Sequence, residues 1–71
     1  MKDFFIHQNR NRELTLGGVI SLIDFVNDRI EVRVKGGIIS VLGNNLVIQR
    51  FDENEIMIVG KICEVLTNVT D

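Results

Sequence analysis

The stretch Arg29-Ile30-Glu31-Val32-Arg33-Val34-Lys35-Gly36-Gly37-Ile38-Ile39-Ser40-Val41-Leu42-Gly43 decides the fold class. Residues 29–35 alternate apolar and charged side chains without a fault, the period-two pattern of a strand with one buried face. Ile30, Val32 and Val34 are expected to face a core, while Arg29, Glu31, Arg33 and Lys35 face water. Gly36-Gly37 offers the positive φ angles of a two-residue hairpin, with 38–42 as the returning strand.

The same grammar extends in both directions. Downstream, Gly43-Asn44-Asn45 reads as a corner, 46–51 as a strand, and Asp52-Glu53-Asn54 as a polar turn into a strand over 55–59. A last strand follows Gly60 over 61–66. Upstream, Asn27-Asp28 is a turn pair whose side chains tolerate left-handed angles and bond locally. It is preceded by a strand over 19–26 and, before Gly17-Gly18, by another over 12–17. Val19, Leu22, Ile23 and Val26 also fit helical spacing, but their β-branched content and the preceding glycines favour a strand. Phe4-Phe5-Ile6 suggests a short strand within an N-terminal arm or edge strand over 1–11, ahead of a β domain over 12–67 and a polar tail over 68–71.

Three segments share one design: Leu14-Thr15-Leu16-Gly17-Gly18, Ile39-Ser40-Val41-Leu42-Gly43 and Ile56-Met57-Ile58-Val59-Gly60. A glycine directly behind an alternating strand marks a bulge, a bend, or a close approach of another backbone. Gly18, Gly43 and Gly60 are therefore expected to be corners. The fold expected is all-β: a single small antiparallel sandwich or roll of six to seven short strands bent at glycines.

The alternation also sets the faces. With Ile39, Val41, Leu46, Ile48, Ile56 and Ile58 pointing inward, Ile38, Leu42, Val47, Met57 and Val59 point outward. A sheet that is apolar on both faces must have both covered, by closing on itself or by packing against another chain. A chain of 71 residues buries only about 60% of the surface its unfolded form exposes, so its core is marginal. One cysteine rules out an internal disulfide, and one cysteine with one histidine leaves no common zinc ligand set. Association is the remaining route, and the five outward residues are the candidate interface of a homo-oligomer or of a complex with a protein partner.

Reactive groups are few. His7 lies in the arm with no paired carboxylate or nucleophile nearby, and Cys63 in Ile62-Cys63-Glu64-Val65-Leu66 reads as a small buried hydrophobe. Asp52, Glu53 and Glu55 lack a calcium-loop spacing. The net charge of −2 and four Phe as the only aromatics provide neither the basic stripe nor the stacking platforms of a nucleic-acid binder. No apolar run approaches the ~20 residues of a membrane span. No catalytic, cofactor-binding or metal residue is expected, nor nucleic-acid binding or direct membrane insertion. A lone thiol without a secretion signal suits the cytoplasm.

The order of these elements resembles the YabP/YqfC family of sporulation proteins. The residues that carry the resemblance are Arg12-Glu13-Leu14-Thr15-Leu16-x-Gly18-Val19, then Gly37 through Ile48, then Glu55-Ile56-Met57-Ile58-Val59-Gly60-Lys61-Ile62. Together they cover about residues 12 to 66. Two positions depart from the family pattern: Gly17, where a polar or β-branched residue is usual, and Leu42, where a polar residue or Arg is usual. The resemblance implies a small protein of the mother cell in a spore-forming Gram-positive bacterium, acting in coat and cortex assembly, with a site at the forespore membrane surface beside membrane-embedded partners. Its transferable residues are structural: Gly18, Gly43, Leu46 and Gly60. An assembly or adaptor module is thus the leading expectation; a small β-barrel that binds a ligand or nucleic acid is the alternative.

Overall fold

The computed structural model describes residues 4–70, and the extreme ends of the predicted arm and tail lie outside them. Six strands form one antiparallel sheet: β1 (Phe5–Asn9), β2 (Glu13–Gly17), β3 (Val19–Val26), β4 (Arg29–Val34), β5 (Gly37–Asp52) and β6 (Glu55–Val69). Their spatial order is β1-β2-β6-β5-β4-β3. The all-β expectation holds, and the roll is the form taken. The competing helix over 19–27 is absent; β3 occupies it.

Two strands are far longer than the sequence pattern suggests. β5 has 16 residues and β6 has 15. The segments 38–42 and 46–51 are one strand running through Gly43-Asn44-Asn45, and 55–59 continues through Gly60 to Val69. A straight 16-residue strand spans about 53 Å, yet the largest dimension of the molecule is 30 Å. The long pair must therefore bend, and the sheet folds over itself. One half contains β1, β2, the start of β6 and the end of β5; the other contains the end of β6, the start of β5, β4 and β3.

The core lies between the halves. Leu14, Leu16, Leu46, Ile56 and Ile58 come from the first, and Val19, Ile30, Val32, Val34, Ile39, Val41 and Ile62 from the second. Of the residues expected to point inward, only Ile48 stays half-buried.

Bulges make the bend. Leu42 faces Glu64 and Gly43 faces Ile62, so Cys63 is an extra residue on β6. Asn44 faces Lys61 and Val47 faces Val59, so Asn45 and Leu46 oppose Gly60 alone. Each extra residue breaks the ladder and sharpens the local twist. At the crossing the backbones nearly touch. A Cβ on Gly43 would collide with the Lys61 carbonyl oxygen, and one on Gly60 would lie 2.5 Å from that of Asn45. Gly60 also holds a φ of 133°, and Asn45 one of 54°, angles that Gly adopts freely and Asn tolerates.

The turns clip each bend in place. Gly43 N–H donates to the Asp28 carbonyl at 3.1 Å and Leu46 N–H to that of Asn27 at 2.7 Å. On β6, Gly60 N–H donates to Arg12 at 3.1 Å and Ile62 N–H to Asn11 at 2.8 Å. The β3–β4 turn thus secures the bend of β5, and the β1–β2 turn secures that of β6. Four backbone donors at the bulges, those of Gly43, Leu46, Gly60 and Ile62, thereby keep a partner outside the ladder.

Other local expectations shift by a residue or change outcome. Val34 pairs with Gly37, so the hairpin turn is Lys35-Gly36 rather than Gly36-Gly37, and Gly36 alone of the two has positive φ, 90°. β1 starts at Phe5 and runs on to Asn9, an edge strand laddered to β2. Asn68 and Val69 continue β6. On β3 the ladder skips Ile20 and Ile23, so Val19, Leu22 and Phe25 stand opposite Val34, Val32 and Ile30; Val19 and Leu22 pack on the core, while Phe25 stays exposed. Of the residues that also fit helical spacing, Val19 and Leu22 face the core, while Ile23 on its bulge and Val26 at the strand end are exposed. Gly17, the first departure from the family pattern, lies under the Phe5 ring, which occupies the space of its missing Cβ. Cys63 is exposed, not buried, because its bulge takes it off the inward face.

Two outcomes follow from the bend. Gly43→Ala and Gly60→Ala should each destabilise the fold by about 2 kcal/mol or more, since fixed backbone must move. Gly17→Ala should cost under ~1 kcal/mol, since the half-exposed Phe5 ring can swing aside. Denaturant midpoints for the three variants check this, and equal midpoints would contradict it. Cys63 should react fully with a thiol reagent in native buffer, at the rate seen in denaturant to within a small factor; protection until unfolding would place it in the core.

Candidate interaction surface

The five residues expected to point outward do so, on two separate parts of the surface. Val47 pairs with Val59 across β5 and β6, and Val59 pairs in turn with Glu13. Met57 stands on the same face, between Thr15 and Arg50. Ile38 and Leu42 lie on the other half of the folded sheet, flanked by Arg33 and Asn68 and by Arg29 and Glu64. Val47 is 51% exposed; Ile38, Leu42, Met57 and Val59 are half-buried. Leu66 stands opposite Ser40 between Ile38 and Leu42 and is also exposed. The alternation of 61–66 would have pointed to it had the bulge at Cys63 been visible.

The charged neighbours are mostly tied to the sheet. Arg29 donates to Asp24 at 2.7 Å across the β3–β4 edge, and Ser40 Oγ donates to Glu31 at 3.0 Å. The hydrogen bond from Arg29 to Asp24, with the charge of that carboxylate, raises the Arg29 pKa beyond its ordinary value. Arg50 pairs with Asp52 at 3.2 Å.

The remaining sequence candidates do not converge. His7 is exposed on β1 opposite Thr15. Cys63 lies at the bend, where Asn44 Nδ2 contacts its Sγ at 3.8 Å. Asp52, Glu53 and Glu55 surround the β5–β6 turn at the opposite end of β6's first half. Gly18, with φ 80°, joins β2 to β3, while Gly43 and Gly60 lie at the bend.

Sequence reasoning missed one concavity. Asn9 to Glu13 and Val59 to Lys61 line an open groove of about 890 Å³ beside the β1–β2 turn. It gathers three cations, Arg10, Arg12 and Lys61, with a single carboxylate, Glu13, which accepts from Asn9 Nδ2 at 3.2 Å. Among the described residues none of these three cations is held by an ion pair. Lys61 is too far from Arg12 in sequence for the cluster to be read before the ladder is known.

A model of the YabP family matches residues 5–67. No curated protein and no solved structure matches the chain. The match takes in β1 to β5 and nearly all of β6, including the bend and every motif that carries the resemblance. The chain belongs to the YabP family, a family of sporulation proteins.

Proposed function

We propose that the protein is a non-enzymatic assembly or adaptor module of spore formation. On this reading it acts in coat and cortex assembly in the mother cell, through self-association and docking to a membrane-embedded partner at the forespore membrane surface. The observation that carries the reading is the apolar outer face. Val47, Val59 and Met57 interrupt a surface that a monomeric sheet fills with charge, and Ile38, Leu42 and Leu66 do the same on the other half. Apolar side chains on the outside of so small a sheet gain by being covered, at about 25 cal/mol per Å² removed from water. No helix among the described residues is long and apolar enough to cross a membrane.

Val47→Ser and Met57→Gln test it, both neutral so that the charge of the molecule is kept. Removing one buried Val side chain from a contact costs about 1.5 kcal/mol, roughly tenfold in association. The variants should retain the wild-type circular dichroism and melting midpoint while light scattering at micromolar concentration shows a smaller species. In a spore-forming host they should reach normal abundance and lower the yield of heat-resistant spores. Unchanged size and unchanged spore yield would count against the reading; global unfolding would place both residues in the core.

A further inference from the structure

The groove at the β1–β2 turn has its counterpart on the same chain. Val59-Gly60-Lys61 line it at the bend of β6, while Glu55 opens β6 at the opposite end, facing Gly17. Around that opposite end Asp52, Glu53 and Glu55 crowd the β5–β6 turn, with Arg50, paired to Asp52, as the one nearby cation among the described residues. The groove therefore gathers three cations against one carboxylate, and the β5–β6 turn, among the described residues, three carboxylates against one cation. The five residue steps from Glu55 to Gly60 separate the two by about 17 Å of extended strand. The two surfaces are complementary and cannot meet within one chain.

The geometry points to a head-to-tail contact in which the acidic β5–β6 turn of one copy seats in the Arg10–Arg12–Lys61 groove of a second copy. The occupant is fixed by sign and shape. Two grooves facing each other would repel, which disfavours a two-fold contact here, whereas an exposed acidic turn meeting a basic groove is attractive in one sense only. The groove volume falls in the ~300–1,000 Å³ range of sites that take a small ligand or short loop. A contact between two different surfaces does not use itself up: every copy keeps a free groove at one end and a free turn at the other, so copies add to form rings or open chains. This contact deepens the assembly reading by naming the partner and the register, and it is separate from the apolar outer face.

A charge-swap experiment tests it by sedimentation velocity at low ionic strength. Arg10→Glu with Arg12→Glu gives a copy that is acidic at both ends, and Glu53→Lys with Glu55→Lys gives one that is basic at both ends. Each variant alone should lose association at least tenfold, since like charges now meet. An equimolar mixture should restore it, because each groove again finds a turn of opposite sign. All the substituted residues are exposed, and Lys35→Glu, an exposed cation at the β4–β5 turn and outside both surfaces, should leave association unchanged. Raising salt from 50 mM to 0.5 M should remove this contact from the wild type and the mixture alike, while association through the apolar face persists. A wild type that stays monomeric at low salt, variants that associate as the wild type does, or a mixture that restores nothing overturns the contact, as would inorganic phosphate filling the groove while the variants leave the mass unchanged. Loss of the salt-sensitive association with an intact effect of Val47→Ser, or the reverse, separates failure of this contact from failure of the apolar face.

Discussion

The close crossing of β5 over β6 is the constraint on which the rest of the structure depends. Gly43 lies against the Lys61 carbonyl and Gly60 against that of Asn45. Without that approach two strands of such length would lie flat, and a flat six-stranded sheet of this size has no inside. With it, Leu46 and Ile62 turn inward beyond the bend and the two halves share one buried cluster. The four backbone hydrogen bonds from the bend to the turns at Asn11-Arg12 and Asn27-Asp28 make the crossing cooperative with β1–β2 and β3–β4. A change at the crossing is therefore felt at both edges of the sheet.

The same fold that creates the core leaves its outside underused. A chain this small removes only about 60% of its unfolded surface from water, and the strands on either side of the bend carry apolar residues outward as well as inward. Val47 and Val59 pair on the convex side where charged pairs would serve a solitary domain better. The edges differ in how far they resist pairing with other chains. β3 is broken by bulges at Ile20 and Ile23 and carries the Arg29–Asp24 ion pair, devices that discourage strand addition. β1 carries none of these. A surface guarded in some places and left apolar in others is the physical content of the assembly reading.

Much of this was legible in the sequence, for reasons that can be named. Residues 29–35 alternate against water, and Ile30, Val32 and Val34 are buried as that alternation requires. The glycines behind the apolar runs were legible as special positions, but not what they do. Gly43-Asn44-Asn45 reads locally like a turn because Asn and Gly favour left-handed angles; only the ladder to Lys61 and Ile62 keeps it within a strand. Bulges depend on the partner strand, so the exposure of Cys63 and the skipped positions Ile20 and Ile23 along β3 have no local signature. The basic groove was hidden for the same reason: Arg10 and Arg12 join Lys61 only because β6 bends back beside the β1–β2 turn.

The most direct test of the account is amide hydrogen exchange at Gly43, Leu46, Gly60 and Ile62, whose N–H groups bond to Asp28, Asn27, Arg12 and Asn11. If one bent sheet is held together at the crossing, these four amides open only with global unfolding and exchange as slowly as those of Ile39, Val41, Ile56 and Ile58. Fast exchange at the four, with the neighbouring strand amides still protected, would mean that the halves are separate hairpins joined by hinges, and would contradict the account.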